Sequence, residues 1–362
     1  MTRIDTSSHP LAALLTAGLL AVGCGQQVTP MHAAPAPVAP AQVRAPSETQ
    51  QPHDHGKHGC KSEELFAKVP AGALGPEIPA KGYLLVPVRD GLYVMTNGIY
   101  QLMFLVSDQG VIVVDAPPSL AWALPQAVAE VTSQPITHLV YSHAHVDHTA
   151  GAGLLPASVQ RVAHEETATL LRKAQDPHRP VPTVTFSGET TYVLEVGNQR
   201  LELGYKGINH QIGELFIYAP RQKTLMHVDM VFPGWAPFKA LAIAQDIPGL
   251  LRAMDQTLEY DFDTFVGGHL GRPGTRQDVE QTRAYLLDLK TAAIAANAAI
   301  DYGTVTRDVD PQNVWAQFKR YSDAVTDTCV ERMPKKWLKV LGGADVFLRD
   351  NCFTMTESLR ID

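Results

Sequence analysis

His143-Ala144-His145-Val146-Asp147-His148 is the stretch on which the reading of this sequence turns. Three imidazoles and a carboxylate stand within six residues, just after an apolar run at 136–141 that reads as a buried strand. A strand end holds such a cluster in place and leaves it open to solvent. Imidazole nitrogen and carboxylate oxygen together suit zinc, with iron or manganese as alternatives. A plain polar loop is the blander reading, but buried imidazoles need partners and ligation supplies them.

Further along, His210 follows Gly207-Ile208-Asn209, Asp229 stands in His227-Val228-Asp229-Met230, and His269 ends Val266-Gly267-Gly268-His269. Each lies where an apolar strand gives way to a loop. Any one alone would be unremarkable, since a lone histidine at a strand end is usually structural. With the cluster they make seven ligand candidates.

The order H-x-H-x-D-H, then His, Asp and His, resembles the metallo-β-lactamase superfamily over about residues 81–275. That resemblance implies an αββα sandwich, two mixed sheets flanked by helices, with two zinc ions at one edge. His143, His145 and His210 would bind the first ion; Asp147, His148 and His269 the second; Asp229 would bridge them. A bridging Asp is similar to the glyoxalase II and acyl-homoserine-lactone lactonase branches, and the β-lactamases lack it. Asp115, ending the run Val111-Ile112-Val113-Val114, resembles a family acid that braces the metal loop from behind. Ser142 reads as a loop residue and His227 as structural.

The chemistry this implies is hydrolysis. A water bridging two cations loses a proton near neutral pH and attacks a carbonyl, with Asp147 orienting it as well as binding metal. The expected bond is an ester, lactone, thioester or amide of a small molecule. Two departures from the pattern matter. The lactonases carry a tyrosine three residues after the bridging Asp, where this chain has Phe232, so a proton donor of that kind is missing there. Asn209-His210 replaces the commoner Gly-His. Phe232, Trp235 and Phe238 follow the bridging Asp directly and are expected to form an apolar substrate wall.

The N-terminus reads as an export signal. Arg3 precedes an apolar run at 11–22, too short to span a bilayer, and Gly23-Cys24 follows. This resembles a bacterial lipoprotein signal, with residues 1–23 removed and Cys24 lipidated. The expected location is the bacterial envelope, with membrane attachment through the lipid anchor only. Residues 24–80 form a linker, rich in Pro and Ala, that cannot bury enough surface to fold. It includes His53-Asp54-His55-Gly56-Lys57-His58-Gly59-Cys60, read as a solvated tail rather than a metal-scavenging tract. In an oxidising compartment Cys329 and Cys352 are expected to form a disulfide, with Cys60 open as a partner for either.

The net charge of −7 excludes the basic stripe that nucleic-acid binding needs. No glycine-rich nucleotide loop stands out. From Arg276 to residue 362 a helical extension is expected. Val279, Leu286, Leu289, Ala293 and Ala296 form one stripe, and a second helix starts at Asp310-Pro311 with Val314, Phe318, Tyr321 and Val325 buried. This tail is expected to cover one side of the main domain or the pocket mouth. Oligomeric state is not legible. The competing readings are a periplasmic β-lactamase-like enzyme, which the bridging Asp disfavours, a single-iron sulfur dioxygenase, which a full ligand set disfavours, and a non-catalytic zinc-binding envelope lipoprotein, which should have lost a ligand.

Overall fold

The computed structural model describes residues 66–362. The export signal, Cys24 and the His53–Cys60 tract lie outside the described residues. Two sheets carry the fold. The first runs in chain order: β1 (Leu84–Pro87), β2 (Leu92–Thr96), β3 (Gln101–Ser107), β4 (Gly110–Val114), β5 (Ile136–Val140), β6 (Gln160–His164) and β7 (Val184–Phe186). Its first four strands are antiparallel neighbours and β4 to β7 are parallel. The second comprises β8 (Thr191–Val196), β9 (Gln199–Gly204), β10 (Phe216–Ala219), β11 (Thr224–Met226) and β12 (Thr264–Val266), with only β11 and β12 parallel.

Alternation along the strands makes this a four-layer sandwich. Val94, Met103, Leu105, Ile112, Val114 and Val140 turn inward and meet Leu201, Leu203, Ile217, Met226 and Val266 of the second sheet. The residues between them turn outward. Met95, Leu102, Phe104 and Val113 pack under α1 (Pro118–Ala121), α2 (Leu124–Ala129) and α4 (Glu165–Ala174). On the far side, Phe216, Leu225 and Phe265 pack under α6 (Ile247–Leu258), α7 (Arg276–Ala299), α9 (Val314–Arg332) and α11 (Leu348–Ile361). Each such side chain, fully buried, contributes roughly 1.5–3 kcal/mol. The expected αββα architecture is therefore what the chain forms, with the C-terminal helices as its outermost layer.

Several local expectations are corrected. Pro117-Pro118 predicts one following helix carrying Trp122, Leu124 and Val128; the chain instead forms two short pieces, and Trp122 between them is exposed. β6 and β7 are absent from the sequence reading because Gln160-Arg161 and Thr185 break the apolar pattern. Parallel pairing in the sheet supplies what local pattern does not. The helix expected at Asp310-Pro311 starts at Val314, capped by the Asn313 side chain on Ala316 N at 3.0 Å. Its buried face is Ser322, Val325, Thr326 and Cys329; Val314 is exposed. α11 falls within the helical extension expected for residues 276–362, though no separate stripe marks it in the sequence. Cys329 and Cys352 form the expected disulfide, joining α9 to α11.

The stretch expected as linker up to residue 80 already packs on the domain. Ala67 N donates to Asp345 Oδ2 at 2.7 Å, Ala73 is buried, and its carbonyl accepts from Trp235 Nε1 at 2.8 Å. Among the described residues, no helix is long and apolar enough to cross a membrane.

Candidate metal centre

The site stands at one edge of the sandwich, on loops that leave strand ends of both sheets. β5 ends at Val140, and Tyr141 N still pairs with Val162 O at 2.9 Å, so the chain enters Ser142 and His143 under sheet control. His145 then caps the single turn α3 (Val146–Thr149), which carries Asp147 in its first turn and His148 in its last. From the second sheet, β11 continues beyond its end: His227 N pairs with Val266 O and Asp229 N with Gly267 O, at 3.1 and 3.0 Å. Asp229 sits at φ 60°, and Asp115, at the end of β4, at φ 64°. Left-handed backbone at a residue other than glycine costs about 1–3 kcal/mol and clusters at functional sites. Gly268, at φ 81°, lies so close to the cluster that a Cβ there would meet His148 Cε1 at 3.1 Å.

All seven candidate ligands come together, in two groups: His143, His145, His210 and Asp229, then Asp147, His148 and His269. Asp229 faces both. Its Oδ2 lies 3.5 Å from His143 Nε2 and 3.2 Å from His210 Nε2. Its Oδ1 lies 3.4 Å from His148 Nε2 and 2.9 Å from His269 Nε2. Asp147 Oδ2 closes the second group, 3.5 Å from His269 Nε2 and 3.7 Å from His148 Nε2. In the first group His210 Nε2 stands 3.0 Å from His145 Nδ1. Converging nitrogens with no acidic hydrogen to share between every pair are a donor set awaiting a cation. His143 Nε2 and Asp229 Oδ1 are buried with no hydrogen-bond partner, so the residues present fit metal ions at both positions.

The electrostatics agree. Burial lowers the His143 imidazole well below its usual range, and its histidine neighbours add to this. Burial and His210 push His145 down to about 4. Both are neutral at pH 7, the form that binds metal. Burial would raise the Asp229 carboxyl, but His148 and His210 hold it well below the usual carboxylate range. His269 goes the other way, raised to about 9 because its bonds to Asp147 and Asp229 outweigh burial.

Behind the ligands a relay sets their orientation. Ser142 N and Oγ donate to the two oxygens of Asp115 at 2.8 and 2.7 Å, and Ser142 Oγ meets His143 Nδ1 at 2.9 Å. With its hydroxyl hydrogen on Asp115, Ser142 accepts from His143 Nδ1–H, which leaves Nε2 free for the centre. Ser142 is thus more than a loop residue, and Asp115 braces through it; Asp115 also lies 3.7 Å from His148 Nδ1. Burial raises the Asp115 carboxyl to about 6.

Three residues of the site were missed. Gln211 Oε1 accepts from Ala144 N at 2.8 Å and fastens the two loops together. Glu214 is buried with both oxygens unpartnered, 3.6 Å from His143 Nδ1, and burial raises its carboxyl well above the usual range. Its sequence signal was a charge inside the apolar run that ends as β10. Tyr100 comes from the β2–β3 turn, tied to the His269 loop by Leu270 N on Ile99 O at 2.7 Å. Its ring lies 4.7 Å from that of His269. Nothing local in Asn97-Gly98-Ile99-Tyr100 signals this. His227 is structural, as expected, bonded through Nδ1 to Thr257 Oγ1 at 3.1 Å and packed on Phe216.

A cavity of about 720 Å³ opens on the centre. Phe232, Trp235 and Phe238 line it, as do Tyr100 and the exposed face of Asp147.

Residues 96–295 match the family model of the metallo-beta-lactamase superfamily. The chain is 32% identical over 202 residues to the "2,4-dinitroanisole O-demethylase subunit alpha" of Nocardioides sp. (strain JS1661), a match covering 53% of this chain and 58% of that protein. The chain thus spans little more than half the length of that relative. Among solved structures, a metallo-beta-lactamase from Pontibacter korlensis is similar at 20% identity over 57% of this chain and 99% of that one, TM-score 0.46. The DIM-1 metallo-beta-lactamase is similar at 20% identity over 58% and 99%, TM-score 0.48.

Proposed function

This chain belongs to the metallo-beta-lactamase superfamily, and on that premise we propose that it is an exported dinuclear zinc hydrolase that cleaves an ester, lactone, thioester or amide. The observation that carries the reading is Asp229, whose two oxygens face two separate sets of ligand atoms. His143, His145 and His210 would hold one ion, Asp147, His148 and His269 the other, with Asp229 shared. Two such ions supply an acidified water and a Lewis acid for a carbonyl.

The chain's own groups do the rest. Asp115 and Ser142 fix the tautomer of His143. Asp147, partly exposed on the cavity, accepts a hydrogen bond from the attacking water and orients it. Tyr100 presents a phenol on the same cavity and donates to the leaving oxygen, a part that Phe232 cannot play. The apolar wall offers a surface for the non-reacting part of the substrate. Export is supported by the Cys329–Cys352 bond, since disulfides persist in oxidising compartments; attachment through a lipidated Cys24 is part of the same proposal.

A second reading is favoured by the aromatic cavity wall and by the relative's name: cleavage of an aryl methyl ether by water, releasing a phenol and methanol. One panel separates the two. Purified protein with and without chelator is offered p-nitrophenyl acetate, a lactone, a β-lactam and p-nitroanisole. The hydrolase reading predicts chelator-sensitive acyl cleavage that His145→Ala and Asp229→Asn abolish. Turnover of the ether alone would replace it, and activity surviving both substitutions would move the site elsewhere.

A further inference from the structure

The far side of the cavity is built by two segments that supply no metal ligand. One is the run after Asp229, carrying Trp235, Phe238 and Ile243; the other is the turn at 342–347, which brings Val346 and Phe347 from the C-terminal region. The two are laced together. Ala236 N donates to Gly342 O at 3.0 Å and Gly342 N to Gly234 O at 2.9 Å. Trp235 lies flat on Gly342, where a Cβ would meet ring carbons at 2.8 Å. The rings of Phe238 and Phe347 pack edge to face with centroids 4.8 Å apart.

This wall is apolar and open. Phe238 is 47% exposed, Ile243 62% and Val346 38%, all around one opening. Large apolar side chains gathered at a concave surface mark a binding site rather than ordinary surface. Charge is as informative. No Lys or Arg lines the cavity among the described residues; its charged side chains are Asp147 and Asp229, beside the imidazoles. Lys239, next to Phe238, is 3.5 Å from Asp350 Oδ1 and is not among the residues lining this cavity. A carboxylate or phosphate lying against this wall, away from the metal ligands, would lose part of its water and find no Lys or Arg among the lining residues, which is unfavourable.

We propose that the substrate is an uncharged ester with a bulky apolar, preferably aromatic, group lying on this wall, and that the 342–347 turn selects it. The proposal rests on the acyl-hydrolase reading for the centre, but its selectivity does not depend on which metals are bound. It accounts for why Val346 and Phe347, more than a hundred positions from Asp229 in sequence, face the same cavity.

The test pairs matched p-nitrophenyl esters. In the unbranched acyl series from acetate to hexanoate, kcat/KM should rise roughly fourfold per methylene, the equivalent of about 0.8 kcal/mol per buried CH₂. The 3-phenylpropanoate should exceed its para-carboxylated counterpart by at least about tenfold, and that gap should shrink at least about tenfold in Val346→Lys or Phe238→Lys. Equal rates for the charged and uncharged partners, or a gap untouched in both lysine variants, would overturn the proposal. If no ester is turned over at any metal loading, the hydrolase reading fails. The wall is then judged alone, by uptake of Nile red, an uncharged apolar dye, by the metal-free protein. Uptake weakened in both lysine variants sustains it; no uptake, or uptake they leave unchanged, overturns it.

Discussion

The Cys329–Cys352 bond closes a loop with a sequence separation of 23, and that loop contains the whole 342–347 turn. Cutting it therefore perturbs the cavity wall without touching a metal ligand. Loop-closure entropy for this length gives about 3.4 kcal/mol of stabilisation, counted as freedom regained by the unfolded chain. For roughly 300 folded residues the melting entropy translates this into a drop of about 5 °C in Tm. The cleaner perturbation is a mild reductant on the wild type, because it keeps both sulfurs and their packing; Cys329→Ala/Cys352→Ala adds the loss of two fully buried side chains. Melting is followed at one scan rate, with and without reductant, alongside thiol titration and metal content. The expected result is two new thiols, a Tm lower by about 5 °C, unchanged metal content, and a raised KM for apolar esters with kcat nearly kept. An unchanged Tm after both thiols have appeared would refute the entropy argument. Both cysteines titrating before any reductant would show that the bond is not made.

Ser142→Ala removes the acceptor of His143 Nδ1–H and should weaken zinc binding by about 10–100-fold, read by competition with a chromophoric chelator; full affinity would show that the relay to Asp115 does not orient the ligand. In the metal-free protein His269 has a folded pKa raised to about 9, so its contribution to stability is complete below about 6.5 and disappears as pH rises through about 9. Metal-free Tm should fall across that window, less so in His269→Gln, and zinc uptake at pH 7.5 should release a proton, measured by calorimetry in buffers of different ionisation enthalpy. A flat profile, or buffer-independent heat, would contradict the ion pairing of His269 with Asp147 and Asp229. Cys24→Ser should move the protein from the membrane to the soluble envelope fraction, and membrane association that persists would exclude the lipid anchor.

Part of this molecule is written in short stretches of its sequence and part is not. The ligands were legible because metal binding demands particular side chains, and sheet ends put them in recognisable places. His143 to His148 follow one strand, and Asp229 continues another. The apolar strands β4 and β5, at Val111–Val114 and 136–141, were legible for the same local reason. What escaped depends on partners distant in the chain. β6 is a strand because β5 offers it a parallel edge, and β7 because β6 does in turn, not because Gln160-Arg161-Val162 insists on it. Tyr100 belongs to the site only because its turn is bonded to the His269 loop. The expected stripe of α9 held at Val325 and Tyr321 but failed at Val314, because the helix begins there and its first turn lies beyond the packed layer, while Cys329 joins the face turned toward α7 and α11. Sequence periodicity states that a face exists; which neighbour covers it is a property of the assembled layers.

The two halves of the site follow from this division. The ligand groups stand on loops from both sheets, and Asp229 can face two ligand sets only because β11 and β12 hold its loop against the β5 loop across the sandwich. Chemistry is therefore fixed by the part of the chain that matches the family. The wall is fixed by it only in part: Trp235 and Phe238 lie within the matched residues 96–295, but Trp235 is held against Gly342, and Val346 and Phe347 come from a turn just before α11, beyond them. Changes in that turn alter what reaches the centre without altering the centre. A substitution such as Gly342→Ala, which would drive a methyl group into the Trp235 ring, should accordingly shift substrate preference while leaving the metal ligands in place.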